Sequence, residues 1–162
     1  MRGGALPPAL LFAALGLALA FAPRSARAPS LLALLACAGA SSFLPIPRSW
    51  LEGVYSGLWA SVAVTAASVH FVRVLGRPQV AIALSLNAGA WAGAAVRLSG
   101  SWVDLSIALP CALLVFPAAW AVGRYTSIPV KVVSSWVIAV AVLAATLQFL
   151  AVTPGYLPDH LE

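Results

Sequence analysis

The sequence predicts an all-α membrane protein, a polytopic bundle of about six transmembrane helices joined by short loops. Hydrophobic residues make up 62% of the 162 residues, charged residues make up only 8%, and the mean hydropathy is +1.01. A soluble domain is typically about 45–50% apolar and about 25% charged. A chain with so few charges cannot cover its surface in water, so lipid must solvate most of its side chains.

Six apolar stretches approach the roughly 20 residues that a helix needs to cross a bilayer. They span residues 5–22, 30–46, 53–72, 79–96, 103–122 and 132–152. The second is short and ends in two serines before two prolines, so it could be tilted or partly re-entrant, which would leave five spans. We therefore expect one helical domain over residues 1–152 and a short tail over 153–162.

The breaks between these stretches contain proline, glycine, serine or arginine, at residues 23–27, 45–48, 73–78, 97–101 and 123–125. Connections this short make consecutive helices antiparallel neighbours. Pro7 and Pro8 suit the first turn of a helix, whereas Pro110 and Pro117 predict a kink in the fifth span.

Loop charges predict the orientation of the chain. The loops after the first, third and fifth spans contain six cations and no acid: Arg24, Arg27, Arg73, Arg77, Arg124 and Lys131. The other side carries Arg2, Arg48 and Arg97 together with Glu52, Asp104, Asp159 and Glu162. The positive-inside rule then places the six cations in the cytoplasm and both termini outside.

The first stretch could instead be a cleaved secretory signal peptide, because small residues follow it. A cleaved signal begins with its N-terminus inside and would export the six cations, so we expect a retained helix. Arginine outnumbers lysine eight to one, which suggests a GC-rich bacterial genome and hence the inner membrane. The net charge of +5 is scattered between apolar runs and does not form a nucleic-acid patch.

Two adjacent spans contain small residues at every fourth position, which lets helix backbones approach closely in lipid. The first stripe consists of Gly53, Gly57, Ser61 and Thr65, and the second consists of Ala81, Ser85, Gly89 and Gly93. We expect these two stripes to form the closest helix–helix contact of the protein, within the chain or between copies.

Chemistry-bearing residues are scarce. No ionisable residue lies at mid-depth, where such residues would mark a proton relay or an ion path. His70 and His160 are predicted on opposite sides of the membrane, so no haem or shared metal site is expected within one chain. Cys37 and Cys111 have no zinc or redox spacing. We therefore predict no cofactor and no enzyme activity.

Two function classes follow. The favoured one is an accessory or scaffold subunit that packs against other membrane subunits or itself, with docking residues Tyr156, Asp159, His160 and Glu162 in the tail. The alternative is a small permease or channel for a neutral or weakly polar solute. Its path would be lined by Asn87, Thr65, Ser68, Ser85 and Gln148, and the kinked fifth span would move.

Overall fold

The computed structural model describes residues 4–99 and 101–147, and 86% of that part is helical, with no strand. The long helices are α1 (Leu6–Leu19), α2 (Arg24–Ser42), α3 (Leu51–Ser68), α5 (Pro78–Ser99) and α8 (Ile128–Leu147). A further helical stretch consists of α6 (Trp102–Ala108), a 3₁₀ segment (Leu109–Leu114) and α7 (Val115–Arg124). The loops contain the short helix α4 (Val72–Leu75) and a 3₁₀ turn (Arg48–Trp50).

Three of these segments are long and apolar enough to cross a membrane: α5, the continuous α6–α7 stretch, and α8. Helix α1 is apolar but has only 14 residues. At 1.5 Å per residue it is about 21 Å long, which is less than the roughly 30 Å of bilayer hydrocarbon. Helices α2 and α3 include charged residues within their length, Arg24 and Arg27 in α2 and Glu52 in α3. The structure therefore supports a membrane protein with three candidate spans, and the six-span count stays a prediction.

The first predicted break is itself helical. Helix α2 begins at Arg24, directly after Pro23, and continues through Pro29 in its second turn. The Arg27 side chain reaches back to α1, where Nη2 donates to the Ala20 carbonyl (2.9 Å) and Nε donates to the Ala22 carbonyl (3.3 Å). These bonds satisfy carbonyls beyond the last turn of α1, a region where a cation is also favoured by the helix dipole.

Helix α1 lies in the middle of the bundle. It contacts α3, α5, the α6–α7 stretch and α8. Leu11, Phe12, Ala14 and Leu15 are all fully buried. A helix that is apolar on every side is typically buried in this way, and here the burial is against other helices of the same chain.

A separate apolar cluster closes one end of the bundle. It includes Leu17 of α1, Val69 after α3, Leu75 of α4, Ala118 of α7 and Val130 of α8. These residues come from the C-terminal ends of α1 and α3, from α4, from the second half of the α6–α7 stretch and from the N-terminal end of α8. Consecutive long helices are therefore antiparallel, as the short connections predict.

The fifth predicted span is irregular. It begins with a capping box in which Ser101 accepts from the Asp104 amide and the Asp104 carboxylate accepts from the Ser101 amide (2.8 Å). Pro110 lies in the first turn of the 3₁₀ segment that separates α6 from α7. Proline cannot donate an amide hydrogen to an α-helical ladder, which accounts for the change of helix type at this point.

Candidate functional site

Three polar side chains form a small network between the middle of α3 and the middle of α5. Asn87 Nδ2 donates to Ser61 Oγ of α3 (2.5 Å), and Trp91 Nε1 donates to Asn87 Oδ1 (3.1 Å). Asn87 and Trp91 are one helical turn apart on α5, so the indole and the amide meet on one face. Both ends of the Asn87 amide thus have partners within the bundle, and the group stabilises a helix contact.

The same contact explains one glycine of the α3 stripe. A β-carbon at Gly57 would overlap with the six-membered ring of Trp91. The absence of a side chain at Gly57 is therefore what admits the Trp91 indole against α3, next to the Asn87–Ser61 hydrogen bond.

The closest helix contact lies elsewhere than we predicted. Gly89 and Gly93 of α5 face α2, and the pairing of α2 with α5 is the most extensive in the bundle. A β-carbon at Gly89 would lie 2.6 Å from the Leu34 carbonyl oxygen and 2.9 Å from the Ala38 nitrogen. The backbones approach closely because α2 supplies small residues of its own at Cys37, Ala38 and Ser41. Cys37 and Ser41 are small residues four positions apart. This spacing is the signal in the sequence that could have identified α2 as the partner of α5.

Hydrogen bonds join α2 and α5 at this contact. Cys37 Sγ donates to the Leu86 carbonyl (3.2 Å), and Ser41 Oγ lies 3.2 Å from the Gly89 carbonyl while donating to Cys37 of its own helix (2.7 Å). Short polar side chains between helices commonly bond across to carbonyls in membrane proteins. The two cysteines of the chain are free thiols, and Cys37 serves this contact.

The remaining stripe residues have different environments. Gly53 has open space where its β-carbon would be. Ala81 and Ser85 are fully buried, and Ser85 Oγ donates to the Ala81 carbonyl of its own helix (2.9 Å). Thr65 is fully buried as well, and its hydroxyl has no hydrogen-bond partner among the described residues.

The predicted solute path is only partly described. Ser68 Oγ donates to the Thr65 carbonyl within α3 (2.6 Å). Gln148, and the four tail residues Tyr156, Asp159, His160 and Glu162, lie outside the described residues. Asn87, Thr65 and Ser68 line none of the three open cavities reported below.

Those cavities lie at the periphery of the bundle. The largest, about 410 Å³, is lined by Ser42, Phe43, Val96, Arg97, Ser101 and Trp102. A second, about 330 Å³, lies between the Leu31–Leu35 part of α2 and residues 106–113. A third, about 220 Å³, lies between α7 and α8. All three are open clefts, and none of them is lined by Asn87, Ser61 or Trp91.

The charged residues divide between the two ends of the bundle. The six cations predicted on one side all lie in or beside the segments that the Leu17–Val130 cluster brings together. Arg27 is held against the end of α1 by its hydrogen bonds. Partial burial lowers the pKa of Arg27 from its usual value, and the nearby Arg24 guanidinium lowers it further. His70 is exposed near this end, with Nε2 3.4 Å from Ser135 Oγ of α8. Glu52, Arg48, Arg97 and Asp104 belong to segments at the opposite end.

Over residues 4–99 and 101–147, no group of three or more His, Cys, Asp or Glu side chains could hold a metal ion. No family model, no curated protein and no solved structure matches this chain.

Proposed function

We propose that this protein is a non-catalytic accessory or scaffold subunit of a larger complex in a bacterial inner membrane. The observation that carries the proposal is that several polar side chains inside the bundle form hydrogen bonds between its helices. Asn87 bonds to both Ser61 and Trp91, and Cys37 of α2 bonds to the Leu86 carbonyl of α5. Ser134 of α8 likewise donates to the Ala66 carbonyl of α3. Polar side chains that hold helices together in this way are not available to bind a solute.

The outer face of α6–α7 and α8 suits contact with lipid or with another membrane protein. Its exposed apolar side chains include Ile107, Phe116, Trp120, Val132, Trp136, Val140, Leu143 and Leu147. The exposed hydroxyls on these helices bond to their own backbone, Ser106 to Trp102 (2.9 Å) and Thr146 to Leu143 (2.9 Å). A hydroxyl that donates to a carbonyl of its own helix can lie in an apolar environment at little cost in free energy. In the proposed assembly, part of this face is covered by a partner subunit.

The proposed topology has six crossings with both termini in the periplasm. The six cations at one end favour the cytoplasm for that end under the positive-inside rule. Helix α1, shorter than the bilayer hydrocarbon, would cross it inside a collar of other helices, so that its ends need not reach the lipid headgroups themselves.

A permease is the second candidate, and one observation favours it. The Thr65 hydroxyl is fully buried without a hydrogen-bond partner among the described residues, and burying such a group costs free energy. A polar solute passing between α3 and α8 would supply the missing partner. The irregular α6–α7 stretch would then be the moving element.

Site-specific photocrosslinking in native membranes tests the subunit proposal. A photoreactive residue at Val140, which is 44% exposed on α8, should give a discrete protein adduct, whereas the same residue at Val137, which is 8% exposed, should not. Deletion of the crosslinked partner should then shorten the half-life of this protein. Lipid adducts alone at several exposed positions of α6–α8, with solute uptake by the purified protein in liposomes, would establish the permease instead.

A further inference from the structure

An apolar groove opens on the side of the bundle between α7 and α8. It is lined by Leu17, Leu114, Pro117, Ala118, Pro129, Val130 and Val133, all of them apolar, and its volume is about 220 Å³. Leu17 is nearly fully buried, as are Ala118 and Val130, whereas Val133 is 50% exposed and Leu114 is 40% exposed. The groove therefore has a packed interior and an accessible rim, and it faces the surroundings of the bundle.

The groove leads toward the cationic end of the protein. Arg124 is seven residues after Pro117 on α7, two helical turns further along the same face. Arg124 is exposed, and Lys131 is next to Val130 at the start of α8. The Trp120 and Tyr125 rings, 5.4 Å apart, are both exposed beside Arg124. Aromatic side chains of this kind favour the level of the lipid headgroups, which places Arg124 at that level too.

Within residues 4–99 and 101–147, no carboxylate lies at the cationic end. Four carboxylates occur in the sequence; of the two that the structure describes, Glu52 begins α3 and Asp104 begins α6, both at the opposite end of the bundle. Arg27 bonds to the Ala20 and Ala22 carbonyls just after α1, while Arg24, Arg73, Arg77 and Arg124 are exposed. An apolar cleft with exposed cations beyond one end is complementary to a molecule with an apolar chain and an anionic head.

We propose that the groove between α7 and α8 binds one acyl chain of an anionic phospholipid, whose phosphate contacts Arg124. The lipid comes from the leaflet that the cationic end faces, which under the positive-inside rule is the cytoplasmic leaflet. Anionic lipids of that leaflet are attracted by juxtamembrane cations. The inference requires membrane insertion but does not depend on the accessory role, so each can fail without the other.

Native mass spectrometry of the full chain in non-ionic detergent tests the proposal. The probes are dioleoyl phosphatidylglycerol and dioleoyl phosphatidylcholine, which differ in headgroup charge and share their acyl chains. We expect the wild-type chain to bind phosphatidylglycerol more tightly. The Arg124→Gln variant should bind it about fivefold more weakly, the effect of one cation near a lipid surface, and its affinity for phosphatidylcholine should not change. Arg97→Gln, an exposed arginine at the opposite end, is the matched control and should leave both affinities unchanged.

The apolar part of the site has a variant of its own. Val133→Trp fills the rim of the groove from a half-exposed position, so it should lower the affinity for both lipids without unfolding the protein. A thermal unfolding curve checks that the variant is folded. An equal loss of phosphatidylglycerol affinity in the Arg124→Gln and Arg97→Gln variants would overturn the proposal. Unchanged phosphatidylglycerol binding in the Val133→Trp variant would overturn it as well. Competition by glycerol phosphate as strong as that by the intact lipid would also overturn it, because the acyl chain would then contribute nothing.

Discussion

Gly93 of α5 lies directly against Ser41 of α2, so close that a β-carbon on Gly93 would overlap with the Ser41 side chain and with the Ala38 carbonyl. One turn earlier, Gly89 makes the same kind of approach to the α2 backbone. The Ser41 hydroxyl lies 3.2 Å from the Gly89 carbonyl, so the serine is held between the two glycines. This pair of positions fixes how α2 and α5 cross.

Substitution of Gly93 by alanine should destabilise the bundle. The new β-carbon meets the Ala38 carbonyl, a backbone atom that cannot rotate away, so α2 must move. We expect a loss of about 2 kcal/mol, in the range for overpacked cores. Gly53→Ala is the control, because Gly53 belongs to the other small-residue stripe but has open space around it. Thermal unfolding in detergent measures both, and equal midpoints would show that the α2–α5 approach is not needed for stability.

The hydrogen bond between Asn87 and Ser61 should appear as a coupling energy. A double-mutant cycle of Asn87→Ala and Ser61→Ala removes each partner alone and then both together. Interhelical hydrogen bonds in membrane proteins average about 0.6 kcal/mol in such cycles, and we expect a value of about 1 kcal/mol. Asn87→Ala should also change the fluorescence of Trp91, whose indole nitrogen loses its acceptor. A cycle of Asn87→Ala with the distant Ser135→Ala should give no coupling, so a non-zero value there would invalidate the first result.

The Arg27 side chain should stabilise the end of α1 rather than act only as a topological charge. Arg27→Gln removes the donors to Ala20 and Ala22, and we expect a loss of about 1 kcal/mol, typical of a partly exposed hydrogen bond. Hydrogen exchange of the α1 C-terminal amides should accelerate in this variant. Arg24→Gln is the control, because Arg24 is exposed and lies three residues before Arg27, so this variant removes one positive charge from the same region. If both variants behave alike, the charge matters and the hydrogen bonds do not.

The proposed orientation can be tested by thiol labelling in a background without the two native cysteines. Ser49→Cys and Thr126→Cys introduce thiols at exposed positions in loops at opposite ends of the bundle. A membrane-impermeant maleimide should label the Ser49→Cys variant in spheroplasts and the Thr126→Cys variant only after lysis. The reverse pattern, or labelling of both in intact spheroplasts, would contradict a cytoplasmic location for the cationic end.

The comparison of α2 with its prediction shows where sequence reasoning was incomplete. The six apolar stretches all overlap with long helices, but α2 begins at Arg24, inside a stretch interpreted as a loop. Prolines and arginines there resemble a break because each is unfavourable inside an isolated helix in lipid. The cost of Arg27 is offset by its hydrogen bonds to the Ala20 and Ala22 carbonyls, which form only once α2 folds back against the end of α1.

The small-residue stripes give a similar result at the level of packing. Their spacing marked the α5 residues Ala81, Ser85, Gly89 and Gly93, and all four are buried. The pattern did not identify their partner, because small residues only permit close approach and any neighbouring helix with a small face can use it. The sequence order favoured α3, whereas Gly89 and Gly93 face α2.

The sequence by itself indicated a helical membrane protein, the approximate positions of its apolar helices, and the cation-rich breaks between them. Those properties follow from hydropathy and charge, which act on each segment separately. Only the tertiary structure decided that Asn87 is satisfied by Ser61 and Trp91, that α1 is central, and that Gly93 faces Ser41. In a chain that is apolar on nearly every face, hydropathy does not distinguish the side of a helix that meets lipid from the side that meets another helix. That choice depends on shape and on a few hydrogen bonds between residues far apart in the chain.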